Sequence, residues 1–84
     1  GESVEFKRTT GERRAAAQTL CAMLNQRGGR VLFGVQADGA ITGQDVSDRT
    51  LEELAQEFAE IDPPAFPQIE RVPLGNGREV VSVT

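Results

Sequence analysis

The sequence predicts an α+β domain of two layers, a mixed β-sheet with two helices on one face, in the order β-α-β-β-α-β-β. Three observations favour this class: strand-like and helical periods alternate along the chain, each helical segment has one apolar face, and two glycine-containing turns follow strand-like runs. The chain is expected to be a single domain over residues 1–84. Its core should be small, because a chain of this size buries about 60% of its unfolded surface.

The first strand and the first helix are predicted within the opening third of the chain. Residues 4–7 alternate apolar and charged side chains, as a half-buried strand does. Thr9 and Glu12 have the spacing of a capping box, which predicts a helix over about residues 11–26. The apolar stripe of this helix consists of Ala17, Leu20, Cys21, Met23 and Leu24.

A double glycine separates this helix from a buried strand. Gly28 and Gly29 supply the backbone freedom that ends a helix, and residues 31–35 are an apolar, β-branched run of strand length. The Asp38-Gly39 dipeptide is typical of a hairpin turn, so residues 40–42 are expected to return as a short strand. Because strand–helix–strand crossovers are right-handed, the first strand and the strand at 31–35 should be parallel.

The second half of the chain predicts a helix followed by a strand hairpin. Thr50 and Glu53 repeat the capping-box spacing, and apolar residues recur at helical intervals until Asp-Pro-Pro at 62–64 ends the helix. Strands are expected over residues 69–74 and 79–84, joined by a Gly-Asn-Gly turn. The proline in the first of these strands lacks an amide hydrogen, which places that strand at an edge of the sheet.

Charge is distributed unevenly along the chain. The net charge is −4, but residues 1–30 carry +3 and residues 31–84 carry −7, so only the first third suits a phosphate backbone. The chain has no histidine, the commonest general base and metal ligand. The single cysteine, Cys21, cannot form an internal disulfide, which predicts a reducing cytoplasm. No apolar run is long enough for a transmembrane helix, so a membrane partner is not expected.

Three short segments carry motifs that occur together in one known family. Residues 2–7 read ESVEFK, residues 21–35 read CAMLNQRGGRVLFGV and residues 38–43 read DGAITG. In this order and at these spacings they resemble the E-S-x-x-E-F-K, A-x-x-N-x-x-G-G-x-L-x-x-G-V and D-G-x-I-x-G motifs of the Schlafen-type AlbA domain, also called the divergent AAA domain. Members usually continue with further strands, so the chain is expected to be incomplete at its carboxyl end. The residues expected to set the fold are Asn25, Gly28, Gly29, Gly34, Gly39 and Gly43.

The resemblance implies a nucleic-acid-binding module of a bacterial transcriptional regulator, with DNA or RNA as its partner. The residues expected to contact phosphates are the basic residues of the first third, Lys7, Arg8, Arg13, Arg14, Arg27 and Arg30. Four of them lie near the start of the first helix and two near its end, so two separate groups are expected. A solvated helix face is the alternative interpretation of the same charges.

The resemblance also implies a metal-dependent endoribonuclease as an alternative, because the related fold of vertebrate Schlafens uses three carboxylates. The matching positions are Glu2, Glu5 and Asp38, which would hold Mg²⁺ or Mn²⁺. Residues three apart in a strand point to opposite faces, so Glu2 and Glu5 could face one metal ion only across a bulge. The Asp-Gly turn explains Asp38 without a metal. Catalysis is therefore the less favoured function.

ATP binding and association between copies are two further alternatives. ATP is not expected, because the chain lacks a phosphate-loop motif and Gly28 and Gly29 lie at the carboxyl end of a helix, where the dipole disfavours phosphate. The final strand, which ends at Thr84, is expected to leave an exposed edge that pairs with a second copy. The sequence thus predicts a homo-oligomer.

Overall fold

The computed structural model describes residues 3–84, which form four strands and two α-helices. A short 3-10 helix, Thr10–Glu12, leads into the first α-helix. Within residues 3–84, neither α-helix has the length and apolar character that a membrane crossing needs. The elements are β1 (Ser3–Lys7), α1 (Arg13–Leu24), β2 (Gly29–Phe33), α2 (Asp48–Ala59), β3 (Ile69–Pro73) and β4 (Glu79–Val83).

The four strands form one mixed sheet in the order β1-β2-β4-β3. β1 runs parallel to β2, which confirms the predicted parallel pairing, and β4 is antiparallel to both β2 and β3. The edges of the sheet are therefore β1 and β3. Pro73 lies on β3, which confirms the edge position predicted from its missing amide hydrogen. The final strand, β4, lies inside the sheet, so the prediction that it forms an exposed edge is wrong.

Both helices pack on one face of the sheet, which confirms the two-layer arrangement. Successive residues of a strand point to opposite faces, and the inward-pointing apolar side chains of β2 and β4 are fully buried. One cluster joins them to the helices: Val31, Phe33, Val81 and Val83 from the sheet with Ala16, Ala17, Leu20, Met23, Leu54 and Phe58 from α1 and α2. Each fully buried leucine or phenylalanine side chain contributes about 1.5–3 kcal/mol. This core holds α1 and α2 side by side.

The start of α1 differs from the predicted capping box. The Thr9 hydroxyl oxygen accepts a hydrogen bond from the Gly11 amide (3.1 Å), so Thr9 caps the 3-10 helix. The Glu12 carboxylate accepts from the amide of Arg8 (3.0 Å) and not from that of Thr9. The Glu12 carboxylate thus bonds to the amide one residue before the one that a capping box would use. α1 itself begins at Arg13, after the 3-10 helix.

The start of α2 also differs from the prediction, because the capping box is formed by Ser47 and Thr50. The Ser47 hydroxyl oxygen accepts from the Thr50 amide (3.4 Å), and the Thr50 hydroxyl oxygen accepts from the Ser47 amide (3.0 Å). The predicted pair of Thr50 and Glu53 lies one turn further into the helix. Ser47 takes the cap because its backbone is extended, whereas Thr50 is already helical.

The predicted hairpin after β2 forms only in part. Residues 40–42 make a single bridge, between Val35 and Ile41, so the sheet has four strands instead of five. The amides of Gly34 and Val35 both donate to the Lys7 carbonyl oxygen (2.8 and 3.2 Å), which ends the regular pairing of β2 with β1. Gly34 has a φ of 96°, a bulge-like conformation that turns the chain away from the sheet.

The double glycine lies where α1 meets β2. Gly28 has a φ of 82°, and its amide donates to the Met23 carbonyl oxygen (2.9 Å), which closes the helix end. A Cβ atom at Gly29 would lie 2.9 Å from the carbonyl oxygen of Ser3, so the close approach of β1 requires glycine there. The remaining residues expected to set the fold are the α1 C-cap, Asn25, and the positive-φ residues Gly39 and Gly43.

Candidate nucleic-acid interface

Four of the six basic residues predicted to contact phosphates lie on one continuous segment at one end of the molecule. Lys7 is the last residue of β1, Arg8 follows it, and Arg13 and Arg14 are the first two residues of α1. The 3-10 helix lies between the two pairs. We call this stretch, Lys7 to Arg14, the basic segment. Its second half forms the amino end of α1, where the helix dipole favours anions.

Lys7 and Arg8 keep their charged groups available. Within residues 3–84, neither side chain forms an ion pair or a hydrogen bond. Arg8 is exposed, whereas Lys7 is half-buried because it is in register with Phe33 on the helix side of the sheet. The backbone beneath them is fixed by the two amides that donate to the Lys7 carbonyl oxygen and by the Arg8 amide that donates to Glu12.

Gln44 holds the basic segment against the rest of the fold. Its side-chain carbonyl oxygen accepts from the Thr10 amide (2.9 Å), and its side-chain nitrogen donates to the Thr10 hydroxyl oxygen (2.9 Å). Its backbone exchanges two hydrogen bonds with Glu79 on β4 (2.8 and 2.9 Å). Gln44 is 6% exposed and is a polar residue that the sequence analysis misses. The only sequence signal for it is its place directly after the D-G-x-I-x-G motif.

Arg78, a second residue that the sequence analysis misses, anchors the loop that carries Gln44. The Arg78 guanidinium donates to the carbonyl oxygens of Thr42 (3.1 Å) and Gly43 (2.8 Å). These bonds use the cation to satisfy backbone acceptors, so Arg78 positions the loop. Gly43 packs closely under this contact, since an added Cβ atom would lie 3.0 Å from the Cβ of Arg78.

Arg13 and Arg14, unlike Lys7 and Arg8, are paired with acidic residues of α2. Arg13 forms ion pairs with Glu53 (3.2 Å) and Glu57 (3.9 Å), and its Nη1 donates to the carbonyl oxygen of Thr10 (3.4 Å). Arg14 forms an ion pair with Glu57 (3.8 Å) although its side chain is 85% exposed. The first turn of α1 is thereby linked to the acidic face of α2. Exposed pairs of this kind contribute about 0.2–1 kcal/mol each.

Arg27 and Arg30 lie at the opposite end of α1. Because β1 and β2 are parallel, the start of β2, where Arg30 lies, is at the other end of the sheet from Lys7. The 12 residues of α1 separate the two groups by about 18 Å at 1.5 Å per residue. Arg27 and Arg30 are both exposed. The structure therefore places the six basic residues in two groups.

The three predicted metal ligands do not form a site among the described residues. Glu2 lies outside residues 3–84. Glu5 is half-buried in register with Val31, and Asp38 is exposed in a turn where its carboxylate accepts from the Ala40 amide (2.9 Å). In the described part of the chain, no group of three acidic, histidine or cysteine side chains could hold a metal ion. Glu5 and Asp38 thus form no metal centre with a third acidic, histidine or cysteine side chain of residues 3–84.

A charged pair on the sheet supports the loop between Gln44 and α2. The Glu79 carboxylate accepts two hydrogen bonds from Arg71 (2.9 and 2.6 Å), and Arg71 also donates to the Val46 carbonyl oxygen (3.1 Å). The bonds from Arg71 lower the pKa of Glu79 more than partial burial raises it. The same bonds raise the pKa of Arg71. This pair joins β3, β4 and the chain leading into α2.

Comparison with known proteins agrees with the motifs. A scan against protein-family models matches the family described as Schlafen, AlbA_2 over residues 1–84. A search of curated proteins finds no match. The family match covers the whole chain and includes the three motif segments, the double glycine at the α1–β2 junction and the bulge at Gly34. The chain belongs to the Schlafen AlbA_2 family.

Proposed function

We propose that this domain binds the phosphate backbone of a nucleic acid through the basic segment. The observation that carries the proposal is the position of Lys7 and Arg8, two cations without an ion-pair partner in residues 3–84, on a fixed backbone beside the amino end of α1. Cations in such a place release counterions from a nucleic acid and bind it in a salt-dependent way. Membership in a nucleic-acid-related family supports the same conclusion.

The alternative, a solvated helix face, accounts better for Arg13 and Arg14 than for Lys7 and Arg8. Arg13 and Arg14 lie on a helix and have acidic partners on α2. Lys7 and Arg8 lie at a strand end, outside any helix, so the helix dipole and pairs along a helix do not explain them. The phosphate contact is therefore assigned first to Lys7 and Arg8.

The experiment is a salt titration of binding to labelled duplex DNA, duplex RNA and single strands. We expect the logarithm of the binding constant to fall linearly with the logarithm of the salt concentration. Arg8→Gln should weaken binding to all sequences alike and reduce the slope by about 0.9, because one phosphate contact is lost. Arg49→Gln is the matched control, since it removes one exposed arginine of α2 that pairs with Glu53. Absence of binding at low salt, or equal weakening by the two variants, would contradict the proposal.

We further propose that the natural role is that of a DNA-binding module in a transcriptional regulator. This finer assignment is supported by the family resemblance of the ESVEFK, double-glycine and DGAITG motifs. The same titration tests it, because a regulator of this kind should bind duplex DNA at least as tightly as duplex RNA. A strong preference for RNA would contradict this role while leaving phosphate binding intact.

A further inference from the structure

Two carboxylates of α2 form ion pairs with the two guanidinium groups at the start of α1. Glu57 contacts both arginines, at 3.9 Å from the Arg13 Nε and 3.8 Å from the Arg14 Nε. Glu53 is 3.2 Å from an Arg13 terminal nitrogen. The Glu57 side chain is only 18% exposed, so its negative charge is held against α1. These carboxylates lie where a phosphate bound to Arg13 and Arg14 would place its oxygens.

A carboxylate and a phosphate oxygen bind a guanidinium in the same way, so the two compete for it. Arg13 is further restricted, because its Nη1 also donates to the Thr10 carbonyl oxygen (3.4 Å). A nucleic acid that binds Arg13 or Arg14 at the nitrogens that face α2 must therefore displace Glu53 or Glu57. The displaced carboxylates then stay nearby and repel the phosphates.

We propose that Glu53 and Glu57 form an intramolecular block that weakens nucleic-acid binding at the basic segment. The inference rests on the proposed function and adds the regulation of the same site. Lys7 and Arg8 bind phosphates in the resting domain, and Arg13 and Arg14 join them when α2 releases its carboxylates. Any partner that draws Glu53 and Glu57 away from α1 strengthens nucleic-acid binding.

Glu52 of α2 and Glu60, the C-cap residue that follows the helix, provide a matched comparison. Glu52 and Glu60 belong to the same region of the molecule and are exposed. Glu60 accepts a hydrogen bond from Gln56 (2.7 Å), and within residues 3–84 neither Glu52 nor Glu60 pairs with an arginine. Replacing both by glutamine removes the same amount of charge from this part of the molecule as replacing Glu53 and Glu57. General electrostatic repulsion predicts equal effects, whereas the block predicts unequal ones.

The test is binding of labelled duplex DNA to the whole chain, with variants Glu53→Gln/Glu57→Gln and Glu52→Gln/Glu60→Gln. We expect the first pair to tighten binding about two- to fivefold more than the second, the range that exposed ion pairs produce. The salt slope should also steepen by about 0.9 for each arginine that gains a phosphate. In an Arg13→Gln/Arg14→Gln background, the difference between the two acidic pairs should vanish.

Each outcome decides between the block and its alternatives, provided that urea denaturation shows every variant to be folded. Equal tightening by both acidic pairs would overturn the block, because only net charge would then matter. Weaker binding after Glu53→Gln/Glu57→Gln would also overturn it, since the carboxylates would then orient the arginines for phosphate. Failure of every variant to bind at low salt would refute the proposed function as well, and that result differs from both of the others.

Discussion

At the scale of single residues, Gln44 controls the position of the candidate interface. It is buried, and its side chain makes hydrogen bonds to the amide and hydroxyl of Thr10 and to the carbonyl oxygen of Asp45. Thr10 is the first residue of the 3-10 helix, so these bonds fix the middle of the basic segment. Buried side-chain amides are retained where their bonds are satisfied, because an unpaired one is costly.

Gln44→Leu should therefore destabilise the fold. The change leaves the Thr10 amide without its side-chain acceptor, which costs about 1–3 kcal/mol in the free energy of unfolding. Urea denaturation followed by circular dichroism measures this loss. Gln18→Leu is the control, because Gln18 is exposed on α1 and the change should stay within about 0.5 kcal/mol. Equal stability of the two variants would show that the Gln44 bonds contribute nothing net.

At the scale of elements, α2 depends on its N-cap residue, Ser47, which is not part of the predicted capping pair of Thr50 and Glu53. Ser47 and Thr50 exchange two hydrogen bonds between side chain and backbone, and they satisfy two groups that the helix itself cannot. The helix carries Leu54 and Phe58 into the core and presents Glu53 and Glu57 to α1. Its first turn therefore influences both stability and the candidate interface.

Ser47→Ala should lower the free energy of unfolding by about 0.5–2 kcal/mol, because the hydroxyl acceptor for the Thr50 amide is lost. Ser47→Asp supplies another side-chain oxygen at the same position and should retain most of the stability. Thermal or urea denaturation of both variants separates loss of the cap from any other effect of substitution. If alanine and aspartate destabilise the domain equally, the capping role is refuted.

The pair of Arg71 and Glu79 joins β3 to β4 and makes stability depend on pH. Because the folded pKa of Glu79 is lowered, its stabilising effect is complete above the ordinary carboxyl pKa of about 4.3 and is lost as the pH falls through the folded value. Glu79→Gln should therefore be less stable than the native chain at neutral pH and should lose less stability in acid.

The measurement is a series of urea denaturations from neutral pH to about pH 3, in which the contribution of Glu79 should be constant near neutral pH and should decrease once the pH is below the ordinary carboxyl pKa of about 4.3. Glu70→Gln is the control, because Glu70 lies exposed on β3 and pairs with no cation in residues 3–84. The free energy of unfolding of Glu70→Gln should fall in acid as that of the native chain does. If Glu79→Gln loses as much free energy of unfolding in acid as the native chain, the pair does not govern stability at low pH.

Elements are predictable from this sequence where the pattern is local, and contacts between elements are not. Leu54 and Phe58 recur at helical spacing and are both fully buried, so periodicity suffices to identify α2. Its first residue escapes prediction because both Ser47 and Thr50 fit a capping position, and only backbone geometry decides between them. The pairing of Arg13 with Glu57 escapes as well, since residues 44 positions apart meet only through the packing of α1 on α2.

At the scale of the whole molecule, both α-helices of residues 3–84 lie on the same face of the sheet. Residues that alternate with the buried ones point away from the helices, and several are apolar and partly exposed. Val4 is 50% exposed and Val72 is 43% exposed, on β1 and β3 respectively. The two edge strands thus combine unpaired backbone with exposed apolar side chains, which favours association.

Self-association remains a prediction. Because β4 lies inside the sheet and β1 lies at an edge, we now expect two copies to pair through β1. β3 contains Pro73, whose missing amide hydrogen weakens strand addition at that edge. Val4→Lys places a charge on β1 and should reduce concentration-dependent association in sedimentation velocity. Val72→Lys on β3 should have a smaller effect. Equal effects would indicate association through the open face, and a native chain that stays monomeric at high concentration would refute the homo-oligomer.

The separation of the basic residues into two groups sets how much nucleic acid one domain can cover. The distance of about 18 Å along α1 corresponds to about five base pairs at 3.4 Å each, so Arg27 can reach the same duplex as the basic segment. Arg27→Gln should then reduce the salt slope for a duplex longer than this by about 0.9. The slope should stay unchanged in Arg49→Gln, which removes an arginine paired with Glu53. If Arg27→Gln leaves the slope unaltered while Arg8→Gln lowers it, the duplex contacts only one end of α1, and the two groups act separately.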